Sequence, residues 1–157
     1  MDNVKSILFV CTGNSCRSIM AEGLMKAALK KLGKEEIRVS SAGVSALDGF
    51  NPTRETIEVM KCEGVDVSDF KSRAITDEII RGSDLILVMA ARHMSDIIMR
   101  VPEAAAKTHL LKQYGKCDNS YIRLGMDIAD PMGKPVETYE KTLGEIKGEV
   151  ERIAELL

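Results

Sequence analysis

The chain has 157 residues, 45% of them apolar and 29% charged, with a formal net charge of −2. Its basic residues are scattered and balanced, which argues against a nucleic-acid surface, and no stretch approaches the roughly 18 apolar residues of a membrane span. Four cysteines in a chain of this size do not read as a secreted disulfide framework, and the start "MDNVKSILFV" lacks the order of a secretion signal, so a reducing, cytoplasmic setting with free thiols is expected.

With no repeat, low-complexity tract or linker, residues 1–157 read as one domain, long enough to bury about 70% of the surface of its unfolded chain. There is no Trp and only three Phe and three Tyr, so the core must come from Val, Ile, Leu, Met and Ala. Residues 6–10 form a short apolar run that fits a buried parallel strand. Residues 20–32 carry Met20, Leu24, Ala27, Ala28 and Leu32 at helical spacing, closed by Gly33. A second strand is expected over 37–41 and a helix over 53–62, entered through Asn51-Pro52. "DLILVM" (84–89) is a third strand, followed by a helix over 95–100 and a fourth strand over 108–111. Val136, Tyr139, Leu143, Ile146, Val150 and Ile153 mark a long amphipathic helix at the end. His93 is expected at the surface and His109 in a strand; the nine Met form no stripe and read as core filling.

Strands alternating with helices predict an α/β fold around an open, mostly parallel sheet covered on both faces. Ligands of such sheets bind beyond the carboxyl ends of the strands. The octapeptide "CTGNSCRS" (11–18) sits at such an end, between a strand and a helix. A loop there can turn successive N–H groups inward as an anion nest, to which the helix adds its own N–H groups and dipole. Thr12, Gly13, Asn14, Ser15 and Cys16 supply the cradle, and Gly13 is the position expected to allow close approach or positive φ. Arg17 adds a donor fork matched to two oxygens of a phosphate-like group. Cys11 lies at the mouth of this pocket. Helix N-termini and neighbouring Arg groups favour thiolates, the nucleophilic form of cysteine. Ser18 can donate a hydroxyl hydrogen bond to that sulfur, and Asn14 can brace the loop.

The octapeptide is not a Walker phosphate loop, since no G-x4-G-K-[ST] pattern is present. Nor do Cys11 and Cys16 have the C-x2-C spacing of a zinc site, so no metal is expected. A leaving-group acid is suggested by "DIADPMGKP" (127–135), where Asp130 precedes Pro131 on a stiffened segment.

These residues resemble the low-molecular-weight protein-tyrosine phosphatases over nearly the whole chain. "ILFVCTGNSCRSIMAEG" is similar to the family's signature loop, "SAG" (41–43) and "NP" (51–52) lie where expected, "SDLILVM" (83–89) is similar to its central strand and "DPMGKPVETYEKT" (130–142) to its acid loop. The resemblance implies a four-stranded parallel sheet in a flavodoxin-like winding, and no cofactor. It makes Cys11 the nucleophile, Arg17 the phosphate clamp and Asp130 the general acid and then base. Asn14, Ser18 and Ser41 become the loop-supporting network, and Cys11 and Cys16 a redox pair able to form a reversible disulfide. Implied partners are phosphorylated proteins and inorganic phosphate or similar oxyanions, with no nucleic acid or membrane, the protein being a monomer or weak dimer.

Three departures matter, the first for the packing of the loop and the other two for substrate. A histidine that often joins the family's loop network is replaced near Asp69. Met132 stands where an aromatic residue commonly lines the cleft, and Leu47 at the other wall, with Phe50 nearby. Ser15 replaces the bulky aliphatic residue of eukaryotic members; a bacterial branch that dephosphorylates phosphoarginine carries Thr there. Ser15 therefore leaves phosphotyrosine and phosphoarginine both open. Two further readings are an arsenate reductase on the same fold and a non-catalytic phosphoprotein-binding module. The first needs two more cysteines close together after the central strand, where this chain reads "VMAARHMSDII"; Cys62 and Cys117 are expected to be structural. The second needs a missing nucleophile or acid, and both are present. Tyr121 and Tyr139 lie where family members carry regulatory phosphotyrosines, but Tyr139 fits the apolar face of the last helix better.

Overall fold

The computed structural model describes residues 3–116 and 125–157, so Cys117 and Tyr121 lie outside the described residues. Strands β1 (Ser6–Cys11), β2 (Arg38–Gly43), β3 (Leu85–Val88) and β4 (Thr108–Leu110) form one sheet in the order β2-β1-β3-β4. All pairings are parallel: Ser6 lies opposite Arg38 and Cys11 opposite Gly43, Ile7 opposite Leu85, and Ile86 opposite Thr108. This is the flavodoxin-like α/β winding expected from the sequence.

The helices are α1 (Arg17–Lys31), α2 (Arg54–Cys62), α3 (Asp77–Arg81), α4 (Ala91–Arg100) and α5 (Val136–Leu156), with a 3₁₀ turn over Pro102–Lys107. Central strands buried on both faces explain why β1 and β3 are unbroken apolar runs. Alternate residues feed two cores. Ile7, Phe9, Leu85 and Leu87 pack under α1, α2 and α5 against Met20, Met60, Tyr139 and Ile146. Leu8, Val10, Ile86 and Val88 meet Ile80 of α3, Ile97 of α4, and Val101 and Ala104. Thr53 caps α2 by accepting the Thr56 N–H, which is why the helix starts just after Asn51-Pro52. No described helix is long and apolar enough to cross a membrane.

Two helices begin earlier than their apolar spacing predicts, α1 by three residues and α4 by four. The extra first turns carry Arg17, Ser18, Arg92 and His93, polar side chains used at the loop rather than in the core. The sequence expectation for His93 is therefore corrected: it is fully buried. Helix α3, five residues capped by Thr76, and the 3₁₀ turn are too short to show a period and escape detection.

Candidate active site

The loop 11–17 lies at the carboxyl end of β1, flanked by β2 and β3, where α1 begins. Cys16 is the N-cap of α1 and no side chain caps that helix, which leaves its first N–H groups open toward the loop. Cys11, Asn14, Cys16, Arg17 and Ser18 are all buried, while Thr12, Gly13 and Ser15 are half-buried at the mouth.

Asn14, not Gly13, takes the left-handed conformation, with φ 51°. Asparagine tolerates this region because its short amide can bond locally. Here Asn14 Nδ2 donates to Ser18 Oγ at 2.7 Å and Ser41 Oγ at 3.0 Å, while Oδ1 accepts the Arg73 N–H at 2.9 Å. The close backbone approach also falls elsewhere, at Gly43, the last residue of β2. A Cβ there would stand 2.5 Å from the Thr12 carbonyl oxygen and 2.9 Å from the Asn14 nitrogen. "SAG" thus ends in glycine because the loop 11–17 leans against it.

The hydroxyls run in one direction. Ser41 Oγ donates to Glu22 Oε1 at 2.6 Å, so its lone pairs are free for Asn14. Ser18 Oγ accepts from Asn14, which leaves its proton for Cys11 Sγ at 3.0 Å. Glu22 was missed by sequence reasoning, though Ser18, Glu22 and Lys26 stand at i, i+4, i+8 on one helix face. Lys26 Nζ bonds Glu22 Oε2 at 2.6 Å and lies 5.2 Å from the centre of the Phe70 ring. Asp69, near which a histidine often joins the family's network, is exposed, and Lys26 is the cation paired with Glu22 of the network.

Arg17 reaches across the loop mouth. Its Nη1 donates to the Ile128 carbonyl at 2.8 Å; Nη2 lies 3.5 Å from Thr12 Oγ1 and 3.7 Å from Asp130 Oδ2. Residues 127–130 are held to the sheet by the Ile128 N–H to the Met89 carbonyl at 2.7 Å and to α4 by the Ala91 N–H to Asp127 Oδ1 at 3.0 Å. Asp130 Oδ1 accepts the Met132 N–H at 3.0 Å, which leaves Oδ2 facing Arg17. The Asp130 side chain is 42% exposed against 3% for Arg17, so the carboxylate is open to solvent and the guanidinium is not.

Thr12 Oγ1 is a junction that composition did not foretell. It meets His93 Nε2 at 2.9 Å, Arg92 Nη2 at 3.1 Å and Arg17 Nη2 at 3.5 Å. His93 Nδ1 accepts the Ala90 N–H at 3.1 Å, which fixes the neutral Nε2–H tautomer as donor to Thr12. Burial, with Arg17 and Arg92 alongside, pushes the His93 pKa down to about 4. The signal in the sequence was position: His93 is three residues into the helix that follows the central strand.

The residues expected to line the cleft are open to solvent. Leu47, Phe50 and Met132 are 70%, 61% and 49% exposed. Ser72 ties the 47–50 segment down, its Oγ donating to the Leu47 carbonyl and accepting the Phe50 N–H. Ser15 Oγ lies 3.7 Å from Cys16 Sγ, which also meets the hydroxyls of Thr53 and Tyr139. Tyr139 is buried on the apolar face of α5, and that burial raises its pKa to about 12.

A family sequence model described as low molecular weight phosphotyrosine protein phosphatase matches residues 6–157. The chain is 37% identical over 151 residues to a protein-arginine-phosphatase of Geobacillus stearothermophilus, covering 96% of this chain and 95% of that protein. It is 36% identical over 147 residues to an arsenate reductase of Staphylococcus aureus, covering 94% of each. Among solved structures, a low molecular weight protein tyrosine phosphatase from T. tengcongensis superposes with a TM-score of 0.87 at 40% identity, covering 97% of this chain and 99% of that one.

Proposed function

The chain belongs to the low molecular weight phosphotyrosine protein phosphatase family, and from that premise we propose that it hydrolyses phosphotyrosine in proteins through a phosphocysteine on Cys11. The observation that carries the reading is the convergence of the Ser18 hydroxyl on Cys11 Sγ at 3.0 Å with an Arg17 fork 3.7 Å from the Asp130 carboxylate. Nucleophile, anion clamp and proton carrier then bracket one phosphoryl group.

In the first step Cys11 sulfur attacks phosphorus in line, the S–P bond forms, the P–O bond to the phenol breaks, and Asp130 gives its proton to the departing oxygen. In the second, water attacks phosphorus, Asp130 takes its proton, and the thiolate leaves. Loop N–H groups and the Arg17 guanidinium hold the charge on the equatorial oxygens through both steps. Inorganic phosphate and similar oxyanions would occupy the same cradle. A reducing compartment such as the cytoplasm suits the reading, because it keeps Cys11 and Cys16 as thiols.

A second reading, phosphoarginine hydrolysis, is favoured by one observation: half-buried Ser15 puts a small hydroxyl at the mouth, able to accept from a guanidino group. The relay of an arsenate reductase has no support here, since positions 88–98 hold no cysteine. The deciding experiment is kcat/KM on matched peptides carrying phosphotyrosine or phosphoarginine, with native protein and Ser15→Ile side by side. Tyrosine preference that survives Ser15→Ile is the expected result; arginine preference that inverts with it would move the protein to the arginine branch.

A further inference from the structure

Thr12 Oγ1 gathers two guanidinium groups, Arg17 at 3.5 Å and Arg92 at 3.1 Å, and the neutral His93 at 2.9 Å. Arg17 is buried and reaches the Ile128 carbonyl, but Arg92 is exposed and pairs with no carboxylate among the described residues. Two like charges brought to one oxygen repel unless an anion sits beside them. Arg17 also lies 3.7 Å from Asp130 Oδ2. Arg92 follows Ala91, whose N–H holds Asp127 three residues before Asp130, so Arg92 borders the segment that carries the acid for the leaving group.

We propose that Arg92 is a specificity-determining residue that favours an aryl phosphate over a phosphoguanidino group at this site. The proposal rests on the phosphatase reading above and sharpens its substrate class. When the P–O bond of an aryl phosphate breaks, negative charge grows on the phenolic oxygen, and a nearby cation stabilises it. A protonated phosphoguanidino group is already cationic when bound; when its P–N bond breaks, nitrogen takes the electron pair and the proton from Asp130, the arginine side chain leaves as a guanidinium, and Arg92 opposes that positive charge both in binding and in departure. His93 adds no charge of its own, since Nδ1 accepts the Ala90 N–H; Asp127, held by the Ala91 N–H, contributes a fixed negative charge that is the same for both substrates and in every Arg92 variant. The cation on this wall outside the anion clamp is Arg92. Ser15 and Arg92 pull in opposite directions, one offering an acceptor to a guanidino group and the other a repelling cation.

The test is kcat/KM on matched phosphotyrosine and phosphoarginine peptides for native protein, Arg92→Met and Arg92→Lys, with Cys11→Ser as the blank. Arg92→Met is expected to lower the tyrosine-to-arginine ratio about 10–30-fold, through loss on tyrosine and gain on arginine, while Arg92→Lys holds most of it. The shift should shrink as salt rises, because the charge is exposed. A ratio within threefold of native in Arg92→Met, with turnover still dependent on Cys11, would overturn the proposal and leave the phosphatase reading intact. Native protein idle on both peptides would overturn both.

Discussion

The floor and the rim of this pocket are built by different rules. On the floor, Asn14, Ser18, Ser41 and Glu22 are buried and each spends its hydrogen bonds on the next, so that a single proton points at Cys11. On the rim, Leu47, Phe50 and Met132 are largely exposed, and Asp130 is held by one backbone N–H. Charge stabilisation in a transition state needs donors that do not reorganise, which buried networks provide. Selection among protein substrates needs only a surface that lets the right side chain reach the floor. The buried floor is rigid by its own bonds, whereas the rim is free to vary without disturbing it.

The comparison can be broken most severely at the floor. Cys11→Ser should lower turnover by at least about 10⁴-fold while oxyanion binding, followed by calorimetry, persists; a near-normal rate would remove Cys11 from the chemistry. Asp130→Ala belongs to the border between the regions. It should cost roughly 10²–10³-fold on alkyl or unactivated aryl phosphates and far less on p-nitrophenyl phosphate, whose leaving group needs no proton. Equal losses on both substrates would point to another acid.

Packing beneath the loop is the next lever. Gly43→Ala would press a methyl group into the Thr12 and Asn14 backbone and should lower stability by about 1–3 kcal/mol in urea unfolding, with activity falling alongside. A variant with native stability and rate would mean the loop does not lean on β2.

His93 tests the floor by pH. Its pKa is about 4 in the folded protein against an ordinary 6.5, so the unfolded chain binds the extra proton first. Its contribution is present above pH 6.5 and is lost as pH falls toward 4, on the order of 3 kcal/mol over that window. His109, whose pKa burial also lowers, acts in the same direction. His93→Gln, which keeps a donor for Thr12 without the titration, should flatten the acid side of the stability curve; an unchanged slope would refute the assignment. At the rim, Met132→Ala or Leu47→Ala should change kcat/KM on phosphopeptides by only about threefold, mostly through KM.

Much of the floor was legible. Cys11, Arg17 and Ser18 announce themselves by spacing between an apolar strand and a helix, because an anion cradle at a sheet's carboxyl edge demands those residue types there. Asp130 stood out through its proline. What escaped notice was long-range pairing. Glu22 reads as an ordinary exposed helix residue until Ser41 is seen opposite it, and His93 as a surface residue until α4 is extended by a turn to meet Thr12. Gly13 seemed the flexible position because glycine tolerates positive φ best, yet the buried amide partners of Asn14 outweigh its steric cost. Periodicity reports which residues face the core and is silent on polar side chains that turn inward to serve a loop.

The most direct test of the account is to trap the intermediate. Native protein and Asp130→Ala should be mixed with an activated aryl phosphate, quenched within the first turnovers, digested and read by mass spectrometry. A phosphoryl group on the peptide bearing Cys11, accumulating further in Asp130→Ala because water is no longer activated, is the predicted result. Full product release with no phosphorylated Cys11 at any time, in both proteins, would contradict it.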